Sequence, residues 1–325
     1  MRVAALQFFA TPFDLARNLD TAERLARQAA AQGARLLALP AFFNTGYVYT
    51  PRLPAAAEGT DGLTVQWLRR LSAELNALMG GALLVREGAK VFNTFVLAEP
   101  NGNLHTYRQS YPFLWEHGYF DAGRQPLMAD TTLGRIGLLT GWDAAHHTMI
   151  AAYRGQVDMA LMTSALPRFH RAVLNFPLGK KIYLAQLTPS LLRHREAIDD
   201  WPVGGVSACA ALIGAPLIHA AMAGRLVTEL PSPRLSFWLM ALSQPRYWPL
   251  ALRAKSASLR ATFSGASAIV NARGETLALR GSEEGLALAE IAPGLTPDQP
   301  PMPDPPYLWP HIPAQWQILD RVLKR

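Results

Sequence analysis

The chain has one cysteine, Cys209, in 325 residues. That excludes an intramolecular disulfide and any metal site built on paired cysteines. Charge is also scarce, at 17% of residues, and acidic side chains are the scarcer sign: 24 Asp and Glu against 31 Lys and Arg, a net charge of +7. Such a balance fits an anionic partner, whether nucleic acid, a membrane surface or an acidic ligand. The basic residues are spread along the chain, which fits a generally basic protein instead. No run of 18 apolar residues lacks a charge, so no membrane-spanning helix is expected. The opening "MRVAALQFFA" has neither the long apolar region nor the cleavage site of a signal peptide. A cytoplasmic protein is the expectation.

Half of the residues are hydrophobic, enough for a sizeable core. Arg2 to Phe9 read as a first strand. Leu15, Leu19, Ala22, Leu25, Ala26 and Ala29 recur at helical spacing, and the helix stops near Gly33. Leu36 to Leu39 form a second strand, ending at Pro40 before the loop "AFFNTGY". A helix is expected over Leu63 to Met79. "GALLVRE" and "VFNTFVLAEPNG" read as strands with a turn at Pro100-Asn101-Gly102, and "NLHTYRQ" as a further strand. "GRIGLLTGW" is an apolar strand ending at glycine, followed by a helix from about Ala144 to Tyr153. "VDMALMTS" and "APLIHAAM" are strands, with helical stretches near 177–198 and 203–213 between them. "GASAIVNARGETLAL" is a hairpin turning at Ala272-Arg273-Gly274, and "GLALAEI" follows. The tail "PGLTPDQPPMPDPPYLWP" is too rich in proline for a central strand, and a short helix closes the chain. The alternation predicts a layered α/β domain with helices on both outer faces.

The order of these pieces resembles the nitrilase, or carbon–nitrogen hydrolase, superfamily. The resemblance rests on "VAALQ", "ARNLDTAERLARQAAAQGARLLALP", "TGY", "HTYRQSYPFLWEHGYFDAG", "GRIGLLTGWD", "GAPLIHAAMAG" and "FSGASAIVNARGETLAL", which cover most of residues 1–292. It implies a four-layer α-β-β-α sandwich and a homodimer. It divides the chain into a nitrilase-like domain over 1–292, with an inserted segment at about 226–262, and a Pro-rich tail with a short helix over 293–325. Members that hydrolyse amides or nitriles use a Cys nucleophile, a Glu that takes and returns protons, and a Lys that stabilises the tetrahedral intermediate. On this sequence the resemblance puts Ala41 where that Glu stands, Gln109 where the Lys stands, and Gly141 where the Cys stands. None of the three can do the corresponding chemistry. Cys209 lies in "SACAALIGAPL", a helix feeding a strand, where a small core residue is expected.

Several polar residues surround those positions. Glu116 resembles a second Glu that many members keep near the Lys. Asp143 follows Gly141 and Trp142, and its position suits a helix cap. His146 and His147 fall in the first turn expected for that helix. Glu116, Asp143 and His146 are the candidates for an acid–base set. Tyr47, Trp115, Tyr119, Trp142 and His147 are the candidates for lining the inherited pocket, where aromatics suit an apolar or planar ligand. No cofactor or metal is expected: neighbouring positions on a helix point about 100° apart, which does not gather ligands.

The inserted segment contains "PRLSFWLMALSQPRYWPLALRAKSASLR". From Arg234 to Arg260 it has five basic residues and no acidic one, interleaved with Phe237, Trp238, Tyr247 and Trp248. The pattern fits a lid, a partner interface or an anionic membrane surface. Pro245 and Pro249 exclude one long helix, and no nucleic-acid motif is present. Three functions are therefore open. The chain is a pseudoenzyme that binds a small apolar ligand or a protein partner, an enzyme repurposed for non-covalent acid–base chemistry, or a peripheral membrane protein docking through 234–260.

Overall fold

The computed structural model describes residues 1–193, 204–296, 299–303 and 314–323. The first sheet is laid down almost in chain order: β1 (Arg2–Gln7), β2 (Leu36–Ala41), β3 (Leu78–Glu87), β4 (Lys90–Ala98) and β5 (Leu104–Arg108). β1, β2 and β3 are parallel. Helix α1 (Leu15–Ala31) joins the first pair and α2 (Leu63–Leu75) the second. Every residue of β2 is buried, the signature of a parallel strand covered on both faces.

The second sheet starts with β6 (Met128–Thr131), β7 (Gly134–Thr140) and β8 (Met159–Ser164), with α3 (His147–Tyr153) between β7 and β8. Two short strands, β9 (Val173–Asn175) and β10 (Lys181–Tyr183), belong to a separate small sheet. Helix α4 (Val206–Ile213) then leads to β11 (Leu217–Ala221), which pairs in parallel with β8. After it come β12 (Arg225–Glu229), α5 (Pro233–Met240), β13 (Ser258–Thr262), β14 (Ala268–Val270), β15 (Thr276–Leu279), β16 (Gly285–Glu290) and α6 (Ala314–Leu323). The second sheet has the order β15-β14-β11-β8-β7-β6, and β16 returns to pair with β1 on the first. β1 and β2 face β8 and β11 across the core. α1 and α2 cover the outside of one sheet, and α4, with α3 packed beside it, covers the other. The result is the α-β-β-α sandwich expected.

Four local expectations change. The helix from Leu63 ends at Leu75, because Asn76 adopts a left-handed conformation and turns the chain into β3. The expected helix from Ala144 is a 3-10 turn over Gly141–Ala145. Helix α3 begins only at His147, with His146 extended before it. The stretch near 177–198 is broken into a 3-10 turn at Pro177–Gly179, β10 and single helical turns at Leu184–Leu187 and Ser190–Arg193, and residues 194–198 lie outside the described residues. The ends of the inserted segment are β12 and β13, which pair with each other and, through β9, complete the small sheet. Of the tail, residues 297–298, 304–313 and 324–325 lie outside the described residues. The closing helix α6 packs on its own chain, with Trp316 against Phe169, ring centres 4.9 Å apart.

Candidate functional site

The C-terminal ends of parallel strands are where open α/β sheets place ligands. Here the ends of β2, β7 and β8 open on a cavity of about 40 Å³. A water needs roughly 10–15 Å³ measured this way, so any occupant is small. Ala41 closes β2 and Ser164 closes β8. Gly141 follows β7 directly, and all three line the cavity. Most of the remaining wall is apolar: Phe42, Tyr47, Tyr49, Phe113, Trp142, Met162, Ala165, Leu166 and Phe169 among others. Gly141 has φ +56°, and a Cβ built on it would lie 2.8 Å from Gln109 Nε2. Glycine is thus the residue this turn and this neighbour accept. Ala41 and Gly141 line the cavity, whereas Gln109 does not line it and lies against Gly141.

Two polar residues of the wall, Asn93 and Glu116, are joined through Gln109, which does not itself line the cavity. Asn93 Nδ2 donates to Gln109 Oε1 at 2.8 Å. Gln109 Nε2 donates to the Tyr111 carbonyl at 3.1 Å and to Glu116 Oε2 at 3.3 Å. Glu116 Oε2 also accepts from the Phe113 backbone N–H, which fixes the start of the 3-10 turn Leu114–Gly118. Its Oε1 accepts from the Tyr47 hydroxyl at 2.9 Å, and Tyr47 shares a 2.7 Å hydrogen bond with Tyr49. Burial raises the Glu116 carboxyl above the usual range, against the pull of these donors. Thr228 of β12 clamps Tyr49 from behind, accepting from its N–H and donating to its carbonyl. No residue of 226–262 lines the cavity, so the inserted segment braces its wall rather than covering it.

A second polar pair faces the same cavity and was not singled out from the sequence. Ser164 Oγ lies 2.8 Å from His219 Nε2. Both line the cavity, and His219 is 1% exposed. β8 and β11 align Ser164 with Ala221 and Met162 with His219, so the two side chains are diagonal neighbours on one face. Burial pushes the imidazole down to about 4, with the Ala266 backbone opposing the shift, and the ring is neutral at pH 7. The available signal was a single histidine inside the apolar run "LIHAA".

The expected site residues divide sharply. Glu116, Tyr47 and Trp142 line the cavity. Asp143 does not. It is fully buried and accepts from Tyr107 Oη at 2.7 Å and from the backbone N–H groups of Tyr111, Ser110 and Thr140 at 2.9, 3.1 and 3.4 Å. It therefore ties the strand-to-turn junction after β7 to the loop after β5. Burial pushes its carboxyl up to about 7, against those four donors. His146 stacks flat on Tyr111, ring centres 3.6 Å apart, and neither it nor His147 lines the cavity. The Glu116, Asp143 and His146 set is thus not assembled around one space. Trp115 lies in the core behind Tyr49, with its indole N–H on Ser236 Oγ at 2.9 Å. Tyr119 borders a separate outer groove of about 580 Å³ along residues 110–122. Cys209 is buried in α4, with Sγ 3.3 Å from the Ala144 carbonyl and its thiol pushed up to about 12 by burial. It does not line the cavity either. Among the described residues, no three His, Cys, Asp or Glu side chains gather as a metal site, and no helix is long and apolar enough to cross a membrane.

Two six-stranded sheets packed face to face between helices, with a cavity at the strand ends, define an α-β-β-α sandwich. The carbon–nitrogen hydrolase family model matches residues 2–298, and the chain belongs to that family. A nitrilase of Pyrococcus abyssi is 27% identical over 126 residues, 38% of this chain and 48% of the relative. An omega-amidase of Xenopus tropicalis is 33% identical over 104 residues, 32% and 37% respectively. The chain thus spans less than half the length of these curated relatives. Among solved structures, a CN-hydrolase superfamily protein of Xanthomonas campestris, with an arsenic adduct in its active site, superposes with a TM-score of 0.64. It is 20% identical, with 90% of each chain covered. A nitrilase-superfamily amidase of Nesterenkonia gives 0.64 at 22% identity, covering 90% of this chain and 92% of that one. These likenesses concern the fold.

Proposed function

We propose that this chain does not carry out thiol-dependent hydrolysis and that its cavity binds a small, largely apolar molecule: a nitrilase-fold pseudoenzyme. The observation that supports this most is the absence of a thiol from the cavity wall. The only cysteine is Cys209, and it is buried elsewhere as a neutral thiol. The Nesterenkonia amidase, by contrast, forms a covalent adduct at its active-site cysteine. Among the described residues, no lysine lines the wall either. On this reading Ala41, Gln109 and Gly141 occupy the places of the family's Glu, Lys and Cys. Without the nucleophile and the base, the loss in kcat is on the order of 10⁶-fold.

The test is a thermal-shift screen of small uncharged fragments against the wild type and Ala41→Leu, which fills the cavity. Fragments that stabilise the wild type and lose their effect in Ala41→Leu support the reading. A screen without such fragments, or one whose effects survive the filling, rejects it.

A second reading, docking to an anionic membrane through 234–260, has its own support. Trp238 and Trp248 are 45% and 42% exposed, with ring centres 6.3 Å apart, and Leu242 and Leu252 are exposed nearby in sequence. Arg246, Arg253 and Lys255 are exposed in the same segment. Flotation with phosphatidylserine vesicles tests it. Binding that is lost on replacing both tryptophans by serine supports it, and no binding removes it.

A further inference from the structure

We infer that the occupant of the cavity must present a hydrogen-bond donor, an uncharged N–H or O–H, to Asn93 Oδ1. The inference rests on the small-ligand reading above and adds the ligand's chemistry. It follows from which way two amides must face. Assigning the O and N of an amide depends on its hydrogen bonds, and here one partner leaves no choice. The Tyr111 carbonyl can only accept, so the group of Gln109 that meets it is Nε2. Gln109 Oε1 is then the atom turned to Asn93, and it can only accept. The atom Asn93 offers it must be Nδ2. Asn93 Oδ1 is what remains. It is buried, takes no hydrogen bond, and belongs to a residue that lines the cavity. Asn93 itself is 1% exposed.

A buried acceptor without a donor is unfavourable, and native interiors leave few of them. The neighbouring groups do not relieve this one. Gln109 Nε2 is spent on Tyr111 and Glu116, and the Tyr47 hydroxyl on Glu116 and Tyr49. Ser164 and His219 are engaged with each other. An occupant that supplies an N–H or O–H completes the wall. One that lacks it leaves the acceptor stranded, and sites of this kind discriminate more strongly by hydrogen bonding than by apolar fit. The acceptors Asn93 Oδ1 and Glu116 also disfavour an anion in the same space. The class is therefore a compact, uncharged molecule, mostly apolar, with one donor.

Pyrrole and furan test this directly. They are five-membered rings of nearly the same shape, and only pyrrole has an N–H. Each is titrated against the whole protein by ligand-observed NMR, with the wild type and with Asn93→Leu. The expected result is pyrrole binding the wild type about tenfold more tightly than furan, with the preference abolished in Asn93→Leu. Equal binding of the two rings to the wild type overturns the donor requirement, and this arm needs no variant to fold. A preference that persists in Asn93→Leu overturns the assignment to Asn93. Binding of neither ring overturns the small-ligand reading on which the inference rests.

Discussion

Two buried polar clusters lie a few residues apart in this protein, and they are built on opposite principles. Around Asp143, four donors converge on two oxygens, and every one of those hydrogen bonds joins segments of the scaffold. Around Asn93, Gln109 and Glu116, the hydrogen bonds run in a line along a cavity wall, and one acceptor at the end is left over. The first cluster is complete without any ligand. The second leaves Asn93 Oδ1 without a donor from the protein. Buried polar groups without a partner are few in native interiors, and this one belongs to a cavity-lining residue.

The difference is broken most easily at Asp143. Asp143→Ala strands Tyr107 and three backbone N–H groups, and a loss of about 3–5 kcal/mol in urea unfolding is expected. Asn93→Ala, in the other cluster, is expected to lose only about 1 kcal/mol. The reverse order would mean that the roles are exchanged.

Titration sharpens the contrast. The folded state holds the Asp143 proton to about pH 7, whereas an ordinary aspartate releases it near 3.8. Between these values the folded state binds more protons than the unfolded one. The contribution of this group to stability is therefore greatest below pH 4 and is lost as the pH rises to 7, by up to ~1.4 kcal/mol per pH unit. A protonated Oδ2 donates to Tyr107 Oη, whose own hydrogen turns to Ser110 Oγ, 3.0 Å away. Asn in place of Asp reproduces that arrangement. Urea unfolding of Asp143→Asn across pH 4–7 should show most of the slope gone, with a remainder from Glu116, whose carboxyl is raised in the same direction. An unchanged slope would remove Asp143 as its source.

Gly141 sits between the clusters. Gly141→Ala places a side chain at φ +56° with its Cβ against Gln109 Nε2, and a loss of about 1–2 kcal/mol is expected by thermal or urea unfolding. The smallest effect is expected at Cys209, which touches neither cluster. Its thiol should resist iodoacetamide in the native protein and react once the protein is unfolded, as mass spectrometry would show.

Much of the sandwich was legible because its strands are short apolar runs and its first helix has a clean 3.6-residue period. Ala22, Leu25, Ala26 and Ala29, read as one face, are buried together. Tyr47 and Trp142, read as pocket residues, and Glu116, read as an acid–base candidate, line the cavity. The rest failed for physical reasons. Sequence proximity to Gly141 put Asp143 and His146, with Glu116, in one acid–base set. The 3-10 turn after β7 then sends Asp143 inward and leaves His146 extended against Tyr111. Ser164, His219 and Asn93 escaped notice because each lies in a mostly apolar strand with no motif around it. Their meeting depends on strand register and sheet packing, which no local pattern encodes.

The most direct test is whether any hydrolysis depends on the thiol. Ammonia release from a panel of amides and nitriles, measured with the wild type and Cys209→Ala, decides it. The expected result is release at the buffer rate by both proteins. Release by the wild type that disappears in Cys209→Ala would contradict it.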